Sequence, residues 1–212
     1  MAVSLFLYVL VVLALLIAEL RDDRRAQFFF KPLAALGFVL LALQSGALET
    51  IYGQIIIGGL VACAIGDVCL LFRNSQKLFM GGMLAFAMGH LAYLTASATH
   101  SAGPNIELFV VSAAFGILVA IGIYRWIKPN LDKFMKIAVA LYTAIILVMV
   151  LFAINIDMLG WRVLVPLAAM MFAISDAFVA RDRFVKLGPK NALAITPLYF
   201  GAQALFALSV SI

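Results

Sequence analysis

Long apolar runs separated by short polar connections fill the chain from end to end. They fall at about residues 2 to 20, 32 to 44, 51 to 72, 77 to 98, 106 to 125, 134 to 155, 161 to 181 and 190 to 211. A helix needs roughly 20 apolar residues to cross the hydrocarbon core of a bilayer. In lipid it is also the one single-segment structure that satisfies its own backbone. The pattern predicts an all-α polytopic membrane protein, a bundle of about eight transmembrane helices that occupies residues 1–212 as one domain. The second run is short and begins beside Lys31 and Pro32, which predicts a half-helix or a segment that snorkels at its end. The first run lacks a basic leader and is too long for a signal-peptide core, so it is expected to stay as the first helix.

Composition removes the soluble classes. Of 212 residues, 66% are hydrophobic and 12% charged, with a mean hydropathy of +1.15, far from a soluble domain. The net charge of +5 would suggest nucleic acid in a soluble chain, but its placement here marks membrane orientation instead. The connections after the first, third, fifth and seventh runs carry 14 of the 15 Lys and Arg residues, from Arg21 to Lys190. The other connections hold Glu49, His100, Glu107 and Asp157, with Arg162 as their single basic residue. The basic connections are expected to face the cytoplasm, with both termini on the opposite side.

Two aspartates interrupt the apolar runs. "AIGDVCLLFR" at Ala64 carries Asp67, and the related "AISDAFVARDRF" at Ala173 carries Asp176. Both lie roughly 8 Å inside the basic end of their helices at the helical rise. Their spacing of 109 residues is about half the chain, so a four-plus-four parallel repeat is a further expectation. A carboxylate inside a bilayer costs about 2.5 to 3.5 kcal/mol on insertion scales, so it is either paired or used.

Other polar groups fall at helical spacing. His90, Tyr93 and Ser97 share one face of the fourth run, as do Thr196, Tyr199 and Gln203 in the eighth. His90 fits an interhelical hydrogen bond or a proton donor, and Tyr199 and Gln203 fit donors lining a cavity. Lys31, Arg73, Arg181 and Arg183 lie at the basic end, as interfacial anchors or as donors to a lipid phosphate. Gly58, Ala62 and Gly66, and Gly81, Ala85 and Gly89, have the small-xxx-small spacing of close helix contacts. Cys63 and Cys69 sit on different faces of one helix, which excludes a local disulfide. Metal-binding histidine pairs, a nucleophile elbow and a phosphate-cradling glycine loop are all missing, so no metal or cofactor is expected and the acids must carry any chemistry.

Taken together, "KPL" at Lys31, "GDVCLLF" at Gly66, "FMGGMLAFAMGHLAYL" at Phe79, "AISDAFVARDRF" at Ala173 and "LYFGAQAL" at Leu198 resemble the lysoplasmalogenase (YhhN-like) membrane proteins. The resemblance implies an ether hydrolase that cleaves the vinyl ether bond of a lysophospholipid substrate, releasing a fatty aldehyde and a glycerophospho-headgroup. The reading of the residues independently offers Asp67 and Asp176 as catalytic groups, with Lys31, His90, Tyr93, Arg181, Tyr199 and Gln203 around the substrate. The expected location is a bacterial inner membrane with the acids toward the cytoplasm, the bilayer and the lipid being the partners and nucleic acid having no role.

Such cleavage needs one carboxylic acid to protonate the alkene and one carboxylate to stabilise positive charge or activate water, as in glycosidases. Arg181 and Arg183 follow Asp176 closely, which favours Asp176 as the ionised member and Asp67 as the acid. The rival readings are a proton-coupled transporter using the aspartates as a relay, an aspartyl intramembrane protease, and a scaffold with structural polar groups.

Overall fold

Short polar residues fix where most helices begin. In the computed structural model, which describes residues 1–100, 105–156 and 163–211, Asp23, Thr50, Ser75, Asn105 and Asp132 cap the helices that follow them. Their side-chain oxygens accept from the amides of Ala26, Gly53, Leu78, Leu108 and Met135 at 2.7 to 3.2 Å, satisfying donors that the first helical turn leaves unpaired. The helices are α1 (Ala2–Leu20), α2 (Arg24–Gln44), α3 (Ile51–Leu70), α4 (Gln76–Thr99), α5 (Ile106–Ile127), α6 (Lys133–Ile154), α7 (Leu164–Phe184) and α8 (Ala192–Leu208). Eight segments among the described residues are long and apolar enough to span a membrane. Asp157 and Arg162, which entered the reading of the connections, lie outside the described residues.

The second helix corrects an expectation. It is a full 21-residue helix that begins eight residues before Pro32, capped by Asp23, rather than a half-helix. Pro32 lacks an amide hydrogen and so removes one rung of the ladder, but the helix continues through it. The polar residues that obscured this start are occupied elsewhere: Arg24 donates to the Leu71 carbonyl, and Lys31 pairs with Glu19.

Packing recurs with a shift of four helices. α3 lies on α4 as α7 lies on α8, α2 on α3 as α6 on α7, and α4 on α6 as α8 on α2. The core runs through this arrangement and includes Phe38, Ile56, Leu60, Phe86, Tyr93, Phe172, Phe200 and Phe206. α5 stands at the periphery, touching mainly α6 and burying only Ile127. At one end of the bundle Arg73 pairs with Asp22 and Arg183 donates to the Arg73 carbonyl, which gathers the basic connections together. At the other end Tyr52 contacts Ser209 and the His100 ring.

The close approach of α3 and α4 uses glycines one position away from two of those the spacing suggested. Gly58 and Gly81 face open space, with nothing within 4 Å of a side-chain carbon placed there. Gly59 is the close-approach residue: an added Cβ would lie 2.6 Å from the Tyr93 ring. At Gly66 it would lie 2.8 Å from the Phe86 ring. Gly59→Ala should therefore lower stability by about 1 to 3 kcal/mol through overpacking. Gly58→Ala should be neutral or slightly stabilising, as expected for removing a helix glycine. Thermal unfolding of the two purified variants in detergent checks the contrast.

Candidate active site

Each intramembrane carboxylate is held by side chains from other helices. Asp67 lies near the end of α3 and is 3% exposed. Its Oδ2 accepts the Tyr199 hydroxyl of α8 at 2.6 Å. The Tyr199 ring is fixed edge-on among Phe38, Phe86, Phe172 and Phe200, so the hydroxyl has one direction to point. Gly66 belongs to the same design, since any side chain there would displace Phe86.

Asp176 on α7 has a different pair of neighbours. Its Oδ2 accepts the Tyr142 hydroxyl of α6 at 2.8 Å and lies 3.0 Å from His90 Nε2 of α4. His90 is fully buried, with Nδ1 3.2 Å from the Met149 sulfur and its ring centre 4.2 Å from that of Phe172. The Nε2–H form of the imidazole is the one that donates to the carboxylate. His90 and Tyr199 are themselves 109 residues apart, the spacing of the two aspartates. The partner of each acid thus occupies the equivalent position in the opposite half, as an imidazole in one case and a phenol in the other.

A third acid completes the set. Glu19, near the end of α1, pairs with Lys31 at 3.0 Å and accepts the Thr196 hydroxyl. Glu19, Lys31, Asp67, Asp176, Tyr142 and Tyr199 all line one cavity of about 1130 Å³. From its polar end the cavity continues between α5, α6 and α7 past Val119, Ile123, Ile146, Leu147 and Val150. Along α6 it reaches from Val139 to Ile154, roughly 22 Å at the helical rise. A headgroup-sized polar end joined to a long apolar slot fits a single-chain amphiphile.

The expected site residues divide into two groups. Lys31, Asp67, Asp176 and Tyr199 share the cavity wall, and His90 stands directly behind Asp176. Tyr93 and Gln203 do not reach the cavity: the Tyr93 hydroxyl donates to Gln203 Oε1 at 2.6 Å, and the Tyr93 ring stacks on Phe206. Arg181 also turns away, donating to Asn191 and fastening the α7–α8 connection. Arg183, two residues on, does line the cavity and lies over the Phe79 ring. Consequently the arginines are not what holds Asp176; a tyrosine and a histidine are. Glu19 and Tyr142 went unnoticed in the sequence. Each is a single polar residue near apolar neighbours, and the signal that marks Glu19 is an acid at the same basic end as Asp67. Among the described residues no group of three or more His, Cys, Asp or Glu side chains converges to hold a metal ion.

The YhhN family matches residues 26–210 of this chain. Human lysoplasmalogenase TMEM86B is 30% identical over 178 residues, covering 82% of this chain and 69% of its own length. Cattle (Bos taurus) lysoplasmalogenase TMEM86A is 34% identical over 195 residues, covering 84% and 74%. Pig (Sus scrofa) lysoplasmalogenase TMEM86B is 29% identical over 186 residues, covering 85% and 72%. No solved structure matches significantly.

The Glu19–Lys31 pair gives a stability prediction independent of chemistry. Lys31→Met leaves the buried Glu19 without its ion-pair partner and should cost about 3 kcal/mol. Combining it with Glu19→Gln should restore most of that loss, because no unpaired charge remains. Unfolding midpoints of the single and double variants in detergent measure the difference.

Proposed function

We propose, from the premise that the chain belongs to the YhhN family, that it is a multi-pass membrane hydrolase of lysoplasmalogens. It cleaves the vinyl ether bond to yield a fatty aldehyde and a glycerophospho-headgroup. The observation that carries this reading is that Asp67 and Asp176, in unlike surroundings, open onto the same amphiphile-shaped cavity. The substrate places its headgroup at the basic end, its glycerol and vinyl ether at the level of the aspartates, and its chain along α6. That end faces the cytoplasm of a bacterial inner membrane, with both termini periplasmic, by the distribution of Lys and Arg.

Asp67 is the acid. Its proton goes to the alkene carbon remote from the ether oxygen, and the π electrons form the new C–H bond. The remaining positive charge is shared between the other alkene carbon and the ether oxygen as an oxocarbenium ion. Asp176 carries the negative charge, because two donors, Tyr142 and His90, serve one of its oxygens. It stabilises the cation and receives a proton from the water that attacks the cationic carbon. The resulting hemiacetal breaks its C–O bond to the glycerol oxygen, which takes the proton held by Asp176, while the hemiacetal hydroxyl loses its proton to water and the aldehyde leaves. Proton exchange with water returns Asp67 to its acid form, so the net reaction consumes one water. Tyr199 orients the Asp67 carboxyl through the second oxygen. His90 acts through Asp176 and is a positioning residue.

General acid–base groups contribute about 10² to 10⁴ to a rate. Asp67→Asn and Asp176→Asn should each lower kcat for aldehyde release from a lysoplasmalogen by about that factor, in protein shown to be folded. Full activity of either variant removes that residue from the mechanism. Turnover in detergent micelles, where no gradient exists, also separates a hydrolase from a proton-coupled carrier; a wild-type protein that releases no aldehyde there contradicts the hydrolase.

A further inference from the structure

The mouth of the cavity holds an ion pair that the reaction does not use. Arg73 lies 3.6 Å from Asp22, and their side chains are 43% and 65% exposed. Such an exposed pair is held weakly and exchanges readily with other charges. Both residues line the cavity that contains Asp67 and Asp176.

Their backbones, by contrast, are fixed. Asp22 sits in the tight α1–α2 turn with a left-handed φ of 52°, a conformation that Asp and Asn accept more readily than other side-chain-bearing residues. The turn is fastened to α3 by Arg24, which donates to the Leu71 carbonyl. The Arg73 carbonyl accepts from Arg183 Nη1 at 3.3 Å. Two opposite charges are therefore presented on rigid backbone with exchangeable side chains. Arg73 lies six residues past Asp67, in the connection that follows the end of α3 at Leu70. Both residues line the one cavity, so a glycerophosphate whose ether oxygen lies beside Asp67 has its phosphate on the side of the bundle where Arg73 opens.

We propose that Asp22 and Arg73 form a headgroup clamp that selects a lysolipid whose headgroup carries a cation next to its phosphate. This rests on the hydrolase reading above. On binding, the Asp22–Arg73 pair opens, Arg73 takes the phosphate oxygens, and Asp22 takes the ammonium. Each charge keeps an opposite partner, so a zwitterionic headgroup enters at little electrostatic cost. A bare phosphate monoester has no partner for Asp22 and brings further negative charge to a wall already rich in it. With Asp67 holding its proton, four ionised carboxylates and three basic side chains line the cavity.

The test compares two lysoplasmalogens with the same chain, one with a phosphoethanolamine headgroup and one ending in the phosphate monoester. Wild-type protein is assayed beside Asp22→Asn and Arg73→Gln. Asp22→Asn retains a residue suited to the left-handed turn, and the exposed position makes it safe for folding. It should lower the kcat/KM ratio of phosphoethanolamine to phosphate monoester about fivefold. Arg73→Gln should lower kcat/KM for both substrates by about tenfold. An unchanged ratio in Asp22→Asn, with an active wild type, overturns the clamp and leaves the hydrolase reading intact. A wild type that releases no aldehyde from either substrate overturns the hydrolase reading and the clamp with it.

Discussion

A carboxylate inside a membrane-spanning bundle has to be satisfied by another helix, and three such acids organise this protein. Asp67 joins α3 to α8 through Tyr199, Asp176 joins α7 to α4 and α6 through His90 and Tyr142, and Glu19 joins α1 to α2 and α8 through Lys31 and Thr196. Association of helices within lipid gains little from the hydrophobic effect and depends on close packing and polar contacts. Glycines supply the first where α3 meets α4, and the acids supply the second everywhere except at α5. That helix makes no such bond and stands at the edge.

The same bonds create unlike surroundings for two residues in matching sequence. The segments around Asp67 and Asp176 are close copies, and the residues that hold them occupy equivalent positions. Tyr199 alone on Asp67, and His90 together with Tyr142 on Asp176, make one acid singly bonded and the other doubly bonded. Phe172 packs against both His90 and Tyr199 and so sits between the two clusters. A frame of recurring packing with unequal polar fillings gives two carboxyl groups in unlike surroundings on one cavity, which is what the proposed cleavage of a vinyl ether requires.

The helices and their basic end were legible because bilayer thickness and charge asymmetry leave strong marks on sequence. The start of α2 was not, since Arg24, Gln27 and Lys31 look like a polar connection until their partners on α3 and α1 are known. The aspartates stood out for their cost in lipid, but their partners lie 132 and 86 residues away, beyond what periodicity reports. A polar stripe also spans more of a helix than a cavity touches. Tyr199 faces the opening, while Gln203, one turn further, is occupied by Tyr93. Likewise the spacing of small residues located the α3–α4 contact and named Gly66 and Gly89 within it, but it named Gly58 and Gly81 where the contact uses Gly59 and Gly82.

Proton transfer to carbon is the step on which the proposed chemistry turns, and hydrolysis in heavy water observes it directly. Lysoplasmalogen is turned over in D₂O, and the aldehyde is reduced to the alcohol as it forms, before it can exchange. Mass spectrometry should find one carbon-bound deuterium at the position next to the former carbonyl carbon, in an amount matching turnover. Product without deuterium at that carbon would contradict cleavage by an aspartic acid protonating the alkene.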